Sequence, residues 1–137
     1  MNTSPRPADR RVRIALINDD TTFLELMQDL LVVSEGYEVE IIKQWDNAYL
    51  QVKESIPDLV LLDIIMHGEE QGWKILELLT LDPQTRPIPV IVCSAAIRSL
   101  QEHAPLMQQY GVEVLPKPFD LDALLEKIQT TLIRHSD

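Results

Sequence analysis

Five polar side chains stand where short apolar runs of this sequence end. Asp19 and Asp20 follow residues 12–17, Asp63 closes 58–63, Ser94 follows 89–93 and Lys117 follows 112–115. Carboxylates gathered in one place repel, so either one of the three takes up a proton at a raised pKa or a cation sits among them. A donor set made of oxygen alone, without Cys or His, suits a hard divalent ion, Mg²⁺ ahead of Ca²⁺ or Mn²⁺. A lysine ammonium opposite such acids can pair with one of them or with an arriving phosphoryl oxygen. A serine hydroxyl can donate to a second phosphoryl oxygen. Metal, ammonium and hydroxyl are what in-line phosphoryl transfer requires, because its catalysis is mostly positioning and charge neutralisation. A carboxylate is a competent acceptor nucleophile for that transfer. Taken singly, Asp19 also reads as a turn or cap residue and Lys117 as a solvated loop lysine. Asp63 resists the plainer reading, because it ends an otherwise apolar strand, where a charge is costly without a partner.

The elements that must position these residues alternate. Short buried strands are predicted over 12–17, 39–43, 58–64, 89–93 and 112–115, the fourth too continuously apolar for a half-exposed edge. Helices are predicted between them. The first follows the cap-rich segment Asn18-Asp19-Asp20-Thr21-Thr22, with Phe23, Met27, Leu30, Leu31 and Ser34 on one face and Gly36 as its left-handed C-cap. The second runs from about 47 to 55 and stops at Pro57; the third covers 73–81, after a loop bracketed by Gly68 and Gly72. The fourth lies between 98 and 110, where Pro105 demands either a start near Ala104 or a kink. Asp120 caps the last, whose stripe is Leu121, Leu124, Leu125, Ile128 and Leu132. Strands buried on both faces imply a parallel sheet covered by helices on each side, a doubly wound α/β fold. In such sheets ligands bind beyond the carboxyl ends of the strands, the edge where all five polar residues fall.

At 137 residues the chain is one domain, large enough to need no disulfide, and its one cysteine, Cys93, could form none within it. That residue reads as a small buried hydrophobe in the fourth strand, and Trp45 and Trp73 as packing residues. A reducing, cytoplasmic setting is expected. The first apolar run, residues 14–17, falls short of the ~7–15 residues of a signal-peptide core and the ~20 of a membrane span. The net charge is −10, unevenly placed: Arg6, Arg10, Arg11 and Arg13 face one acid, Asp9, in residues 1–13, leaving −13 on the remainder. So acidic a body repels a phosphate backbone, which argues against direct nucleic-acid binding.

The pieces Asn18-Asp19-Asp20, Asp63-Ile64-Ile65-Met66, Ser94-Ala95 and Lys117-Pro118-Phe119, each after the expected strand, resemble a receiver domain of the bacterial two-component response regulators, the CheY-like family. The resemblance runs from about Val12 to Arg134. It implies a flavodoxin-like (βα)5 sandwich with a five-stranded parallel sheet in the order 2-1-3-4-5. It also implies that Asp63 accepts a phosphoryl group from a sensor histidine kinase or a histidine phosphotransfer protein. Mg²⁺, which Mn²⁺ could replace, would be held by Asp20, Asp63 and the Ile65 carbonyl, with Asp19 acting partly through water. Ser94 and Lys117 would bind phosphoryl oxygens, and Ala95 would leave the phosphate room to enter. The bond before Pro118 is expected to be cis, and a downstream protein would read the phosphorylated state. The expected organisation is a basic leader over 1–11, a single receiver domain over 12–135 and no output domain.

Two departures bear on the output. The loop after Asp63 reads Met66-His67-Gly68-Glu69-Glu70-Gln71-Gly72, with His67 where the family usually has proline and with one residue more. Val114 stands where an aromatic switch residue is common. Ile65 and Ala96 carry no group to orient water, so slow loss of an acyl phosphate is expected. Rival readings are a receiver-fold interaction module that is never phosphorylated, and an aspartate-nucleophile phosphatase. The latter would carry a second Asp two residues after the first, where this chain has Ile65. A dinucleotide binder is disfavoured by the lack of glycine after the first strand.

Overall fold

A computed structural model of the protein describes residues 11–135. The basic leader, apart from Arg11, lies outside the described residues. The strands are β1 (Arg13–Ile17), β2 (Glu38–Ile42), β3 (Leu59–Asp63), β4 (Val90–Ser94) and β5 (Glu113–Pro116). They form one parallel sheet in the order β2-β1-β3-β4-β5. The expected order and class are therefore found.

Strand alternation divides the core into two layers. Ala15, Ile17, Val60, Leu62, Val90 and Val92 face α2 (Ala48–Ser55), α3 (Gly72–Leu81) and Met107 of α5 (Ala104–Gln109). Ile14, Leu16, Leu59, Leu61, Ile91 and Cys93 face α1 (Thr21–Met27) and α6 (Leu121–Arg134). β3 and β4 are buried along their whole length, as a central parallel strand must be when helices cover both faces. Each Leu or Ile taken fully out of water there contributes about 1.5–3 kcal/mol. Among the described residues no helix is long and apolar enough to cross a membrane.

Three helices differ from the sequence reading. α1 passes into a π-helix over Gln28–Ser34, where Glu35 N–H reaches back to the Leu30 carbonyl. The wider turn carries Ser34 off the apolar face and leaves it exposed, so the buried stripe is Leu24, Met27 and Leu31, with Phe23 and Leu30 at its margin. Gly36 does stand in the left-handed conformation, at φ 76°. The fourth helical stretch is two short helices, α4 (Ile97–Glu102) and α5, separated at His103. α5 begins at Ala104 with Pro105 in its first turn, the first of the two expected arrangements, where the missing N–H is not needed. In α6 the cap is as expected, with Asp120 accepting from Ala123 N–H at 2.7 Å. Its buried side is Leu124, Ile128 and Thr131, with Leu125 and Leu132 packed at the margin as expected, while Leu121, in the first turn, stays exposed.

Candidate functional site

Because the strands are parallel, their carboxyl ends share one edge of the sheet. β3 brings Asp63 there with only 7% of its surface exposed. Its two oxygens have different partners. Lys117 Nζ lies 3.2 Å from Oδ2, and the Ile65 N–H donates to Oδ1 at 3.3 Å. Burial pushes the Asp63 carboxyl pKa up. The Lys117 ammonium and the Ile65 N–H pull it down and the charge of Asp19 pushes it up again; the net is above the ordinary carboxylate value.

Lys117 is delivered by β5. Its N–H donates to the Ser94 carbonyl at 2.9 Å, which locks the strand-end loop to β4, and the Lys117–Pro118 peptide is cis. Beyond it, the exposed Pro118 leads to Phe119, which meets Phe23 of α1 edge to face at 6.4 Å. Ser94 ends β4 fully buried, and its hydroxyl oxygen accepts from Ala96 N–H at 3.0 Å. That bond uses the oxygen as acceptor and leaves the hydroxyl proton free to be donated. Ala95 is exposed beside it. Ile65 is 40% exposed, and Val114 is half-buried against the α2–α3 side of the core. Cys93, opposite Asp63 in register, has its thiol pushed up to about 12 by burial.

The buried Asn18, whose role the sequence reading did not single out, splits the two acids at the end of β1. Its side-chain oxygen accepts from Asp20 N–H at 2.9 Å. Asp20 then turns to cap α1, accepting from Phe23 N–H at 3.2 Å. Asp19 Oδ2 accepts from His67 N–H at 2.8 Å. The three acids thus share the edge; the charge of Asp19 reaches Asp63, and Asp20 gives one carboxylate oxygen, Oδ1, to the cap. Among the described residues no three His, Cys, Asp or Glu side chains converge as metal ligands do.

The unusual loop is a tight hairpin turn. Met66 and Glu69 exchange both backbone bonds, at 3.0 and 2.9 Å, around His67 and Gly68, both at positive φ (55° and 74°). Two central residues with φ above zero are what a type I′ turn demands. Proline, locked near φ −65°, could not occupy position 67. His67 is exposed, as expected for a loop residue, yet its ring is engaged: Nε2 lies 2.9 Å from the Lys43 carbonyl and Nδ1 3.4 Å from Asp19 Oδ2. Trp45 packs as expected and also holds the turn, donating to the Met66 carbonyl at 3.2 Å.

Set beside known proteins, residues 14–129 match the family model of the response regulator receiver domain. The chain is 34% identical over 121 residues to the chemotaxis protein CheY of Bacillus subtilis, covering 85% of this chain and 95% of that one. It is 27% identical to the phosphate regulon transcriptional regulatory protein PhoB of Rhizobium meliloti, covering 89% of this chain but spanning 52% of the regulator. The CheY-like receiver domain protein of Methanospirillum hungatei matches in structure with a TM-score of 0.76 at 26% identity, covering 92% of this chain and 97% of that one. The receiver domain of the sensor histidine kinase PA1611 of Pseudomonas aeruginosa was solved with magnesium in its active site cleft. It shares the fold, with a TM-score of 0.73 at 22% identity over 90% of this chain and 98% of that domain.

Proposed function

The chain belongs to the response regulator receiver domain family of two-component signalling, and on that premise we propose that Asp63 is its phosphoacceptor. The donor is the phosphohistidine of a sensor kinase or phosphotransfer protein, and the phosphorylated state is read by a downstream protein. The observation that carries this reading is a buried strand-end carboxylate with an ammonium 3.2 Å away. A carboxylate oxygen of Asp63 attacks phosphorus, the P–N bond of the donor breaks as the P–O bond forms, and the leaving imidazole takes a proton from solvent.

Lys117 transfers its pairing from the carboxylate to a phosphoryl oxygen, and the Ser94 hydroxyl donates its unused proton to another. Ala95, exposed and nearly without side chain, leaves the approach open. The oxygen set Asp19, Asp20, Asp63 and the Ile65 carbonyl suits Mg²⁺, with Mn²⁺ a workable substitute. Asp20 caps α1 through Oδ1 alone, which leaves its second carboxylate oxygen for the ion. When bound, the ion supplies neutralisation of charge on the phosphoryl oxygens.

The arriving group adds ~1.5–2 negative charges. Its effect on a partner is a population shift, limited by the differential energy of the new contacts. Ile65 and Ala96 offer nothing to orient a water, so the acyl phosphate is long-lived. Incubation with phosphoramidate and Mg²⁺, followed by intact mass over time, tests the reading. One added phosphoryl group that persists for minutes or longer is expected. An unmodified chain would favour an interaction module, and decay within seconds would remove the slow-loss claim.

A further inference from the structure

Val114 has neither ring nor hydroxyl with which to answer a movement of Ser94, and a different connection leads away from the acidic edge. Glu70 lies in the loop that leaves Asp63 at the end of β3, just beyond the tight turn. Its carboxylate accepts from Trp73 Nε1 at 3.0 Å and from the Ser99 hydroxyl of α4. The same indole N–H also reaches Ser99 Oγ at 2.7 Å. The Ser99 carbonyl in turn accepts from His103 Nδ1 at 2.9 Å, and the His103 ring lies flat on Trp73, 3.9 Å between centroids with planes 6° apart.

We propose that this Glu70–Ser99–Trp73–His103 cluster is the link through which the state of Asp63 is passed to α4. The inference rests on the phosphoacceptor reading above. Its mechanical basis is that α4, six residues long, is tied at both ends. At its start the Ala96 N–H rests on Ser94 Oγ and Ser99, in the first turn, is tied to Glu70 and Trp73; just past its end His103 lies on Trp73. A Ser94 hydroxyl that donates its free proton to a phosphoryl oxygen draws Oγ toward the phosphate and pulls on the first tie. The second then governs where α4 goes, and it is anchored at Glu70 in the loop that follows Asp63 and at Trp73 of α3. The path back is stiff, since Gly72, at the start of α3, is in backbone contact with Ile64, the residue after Asp63. A hydrogen bond to a charged acceptor is of the strength that changes a local opening constant about tenfold.

The test loads the full chain with beryllofluoride and Mg²⁺. Occupancy is followed by ¹⁹F NMR and amide exchange across 97–109 by mass spectrometry, in the parent, Ser99→Ala and Glu70→Ala. Glu70 is exposed, so its variant keeps the core intact should Ser99→Ala prove unstable. In the parent, loading is expected to change exchange across α4 about tenfold. Both variants should load to the same occupancy and lose most of that response. Variants that load and respond as the parent does overturn the link, as does a loaded parent whose α4 is unchanged. A parent with no bound beryllofluoride signal sinks the phosphoacceptor reading itself, and the link with it.

Discussion

Replacing Gly72 by alanine should both weaken the fold and displace Asp63. A Cβ at position 72 would stand 2.5 Å from Ile64 Cα, 2.9 Å from Ile64 Cδ1 and 3.0 Å from the Ile64 carbonyl oxygen. Carbon atoms rest comfortably at ~3.5–4.0 Å, so the start of α3 and the end of β3 must part by about 1 Å. The nearest clash is with backbone, so no rotamer change relieves it. Overpacking of this kind costs about 1–3 kcal/mol, and the helix preference of Ala over Gly returns at most ~1 kcal/mol, less in a first turn. A net loss of about 1–2 kcal/mol is expected, or a melting temperature lower by about 4–8 °C for a domain of this size. Ile64 adjoins Asp63, and a ~1 Å misplacement of a reacting group can slow chemistry by up to ~10²-fold. The assay is thermal melting by circular dichroism together with the rate of acyl-phosphate formation from acetyl phosphate. Gly68→Ala is the control: its Cβ meets nothing within 4 Å, so it bears only the cost of its φ of 74°. A Gly72→Ala protein that melts at or above the parent and phosphorylates at the parent's rate would refute the close-approach argument.

Three further outcomes follow from burial and backbone geometry. The Asp63 pKa is raised, so the stability this group contributes is full below the ordinary carboxylate pKa of ~4 and is lost as pH rises through the raised value. Asp63→Asn should therefore be more stable than the parent at pH 7 in urea unfolding, with the gap closing as pH falls toward ~4; equal stability at pH 7 would contradict it. Cys93, with its thiol pushed up to about 12, should resist iodoacetamide at pH 8 in the native protein and react once urea unfolds it. Ile56, a β-branched residue at φ 44° just before Pro57, is strained, so Ile56→Asn should raise the urea midpoint by about 0.5–1 kcal/mol equivalent.

The sheet was legible because burial on both faces leaves an unmistakable trace. β3 and β4 read as unbroken apolar runs, and Asp63 and Ser94 stand out against them. Strand ends then placed Asp19, Asp20, Asp63, Ser94 and Lys117 on one edge without any side-chain information. What the pattern could not carry was the direction of side chains. Residues 18–22 read as cap-rich, yet which of their side chains caps α1 goes with the Asp20 N–H bond to Asn18 rather than with spacing. The π-helical turn escaped notice because periodicity of 3.6 assumes an unbroken α-helix, so Ser34 was assigned to a face it leaves. The tight turn at His67-Gly68 had a signal, a residue tolerant of positive φ followed by glycine, but its extra residue obscured the register. Pro105 marked a break in the fourth helix, yet the His103 stack on Trp73 joins residues thirty positions apart, beyond the reach of any local pattern.

The most direct test of the central claim locates the acyl phosphate chemically. The chain is incubated with acetyl phosphate with and without Mg²⁺, reduced with borohydride to convert any aspartyl phosphate to homoserine, and digested for mass spectrometry. Conversion confined to Asp63, dependent on the metal and absent from Asp63→Asn, is the predicted result. Conversion at another carboxylate, or equal phosphoryl uptake by Asp63→Asn, would contradict the account.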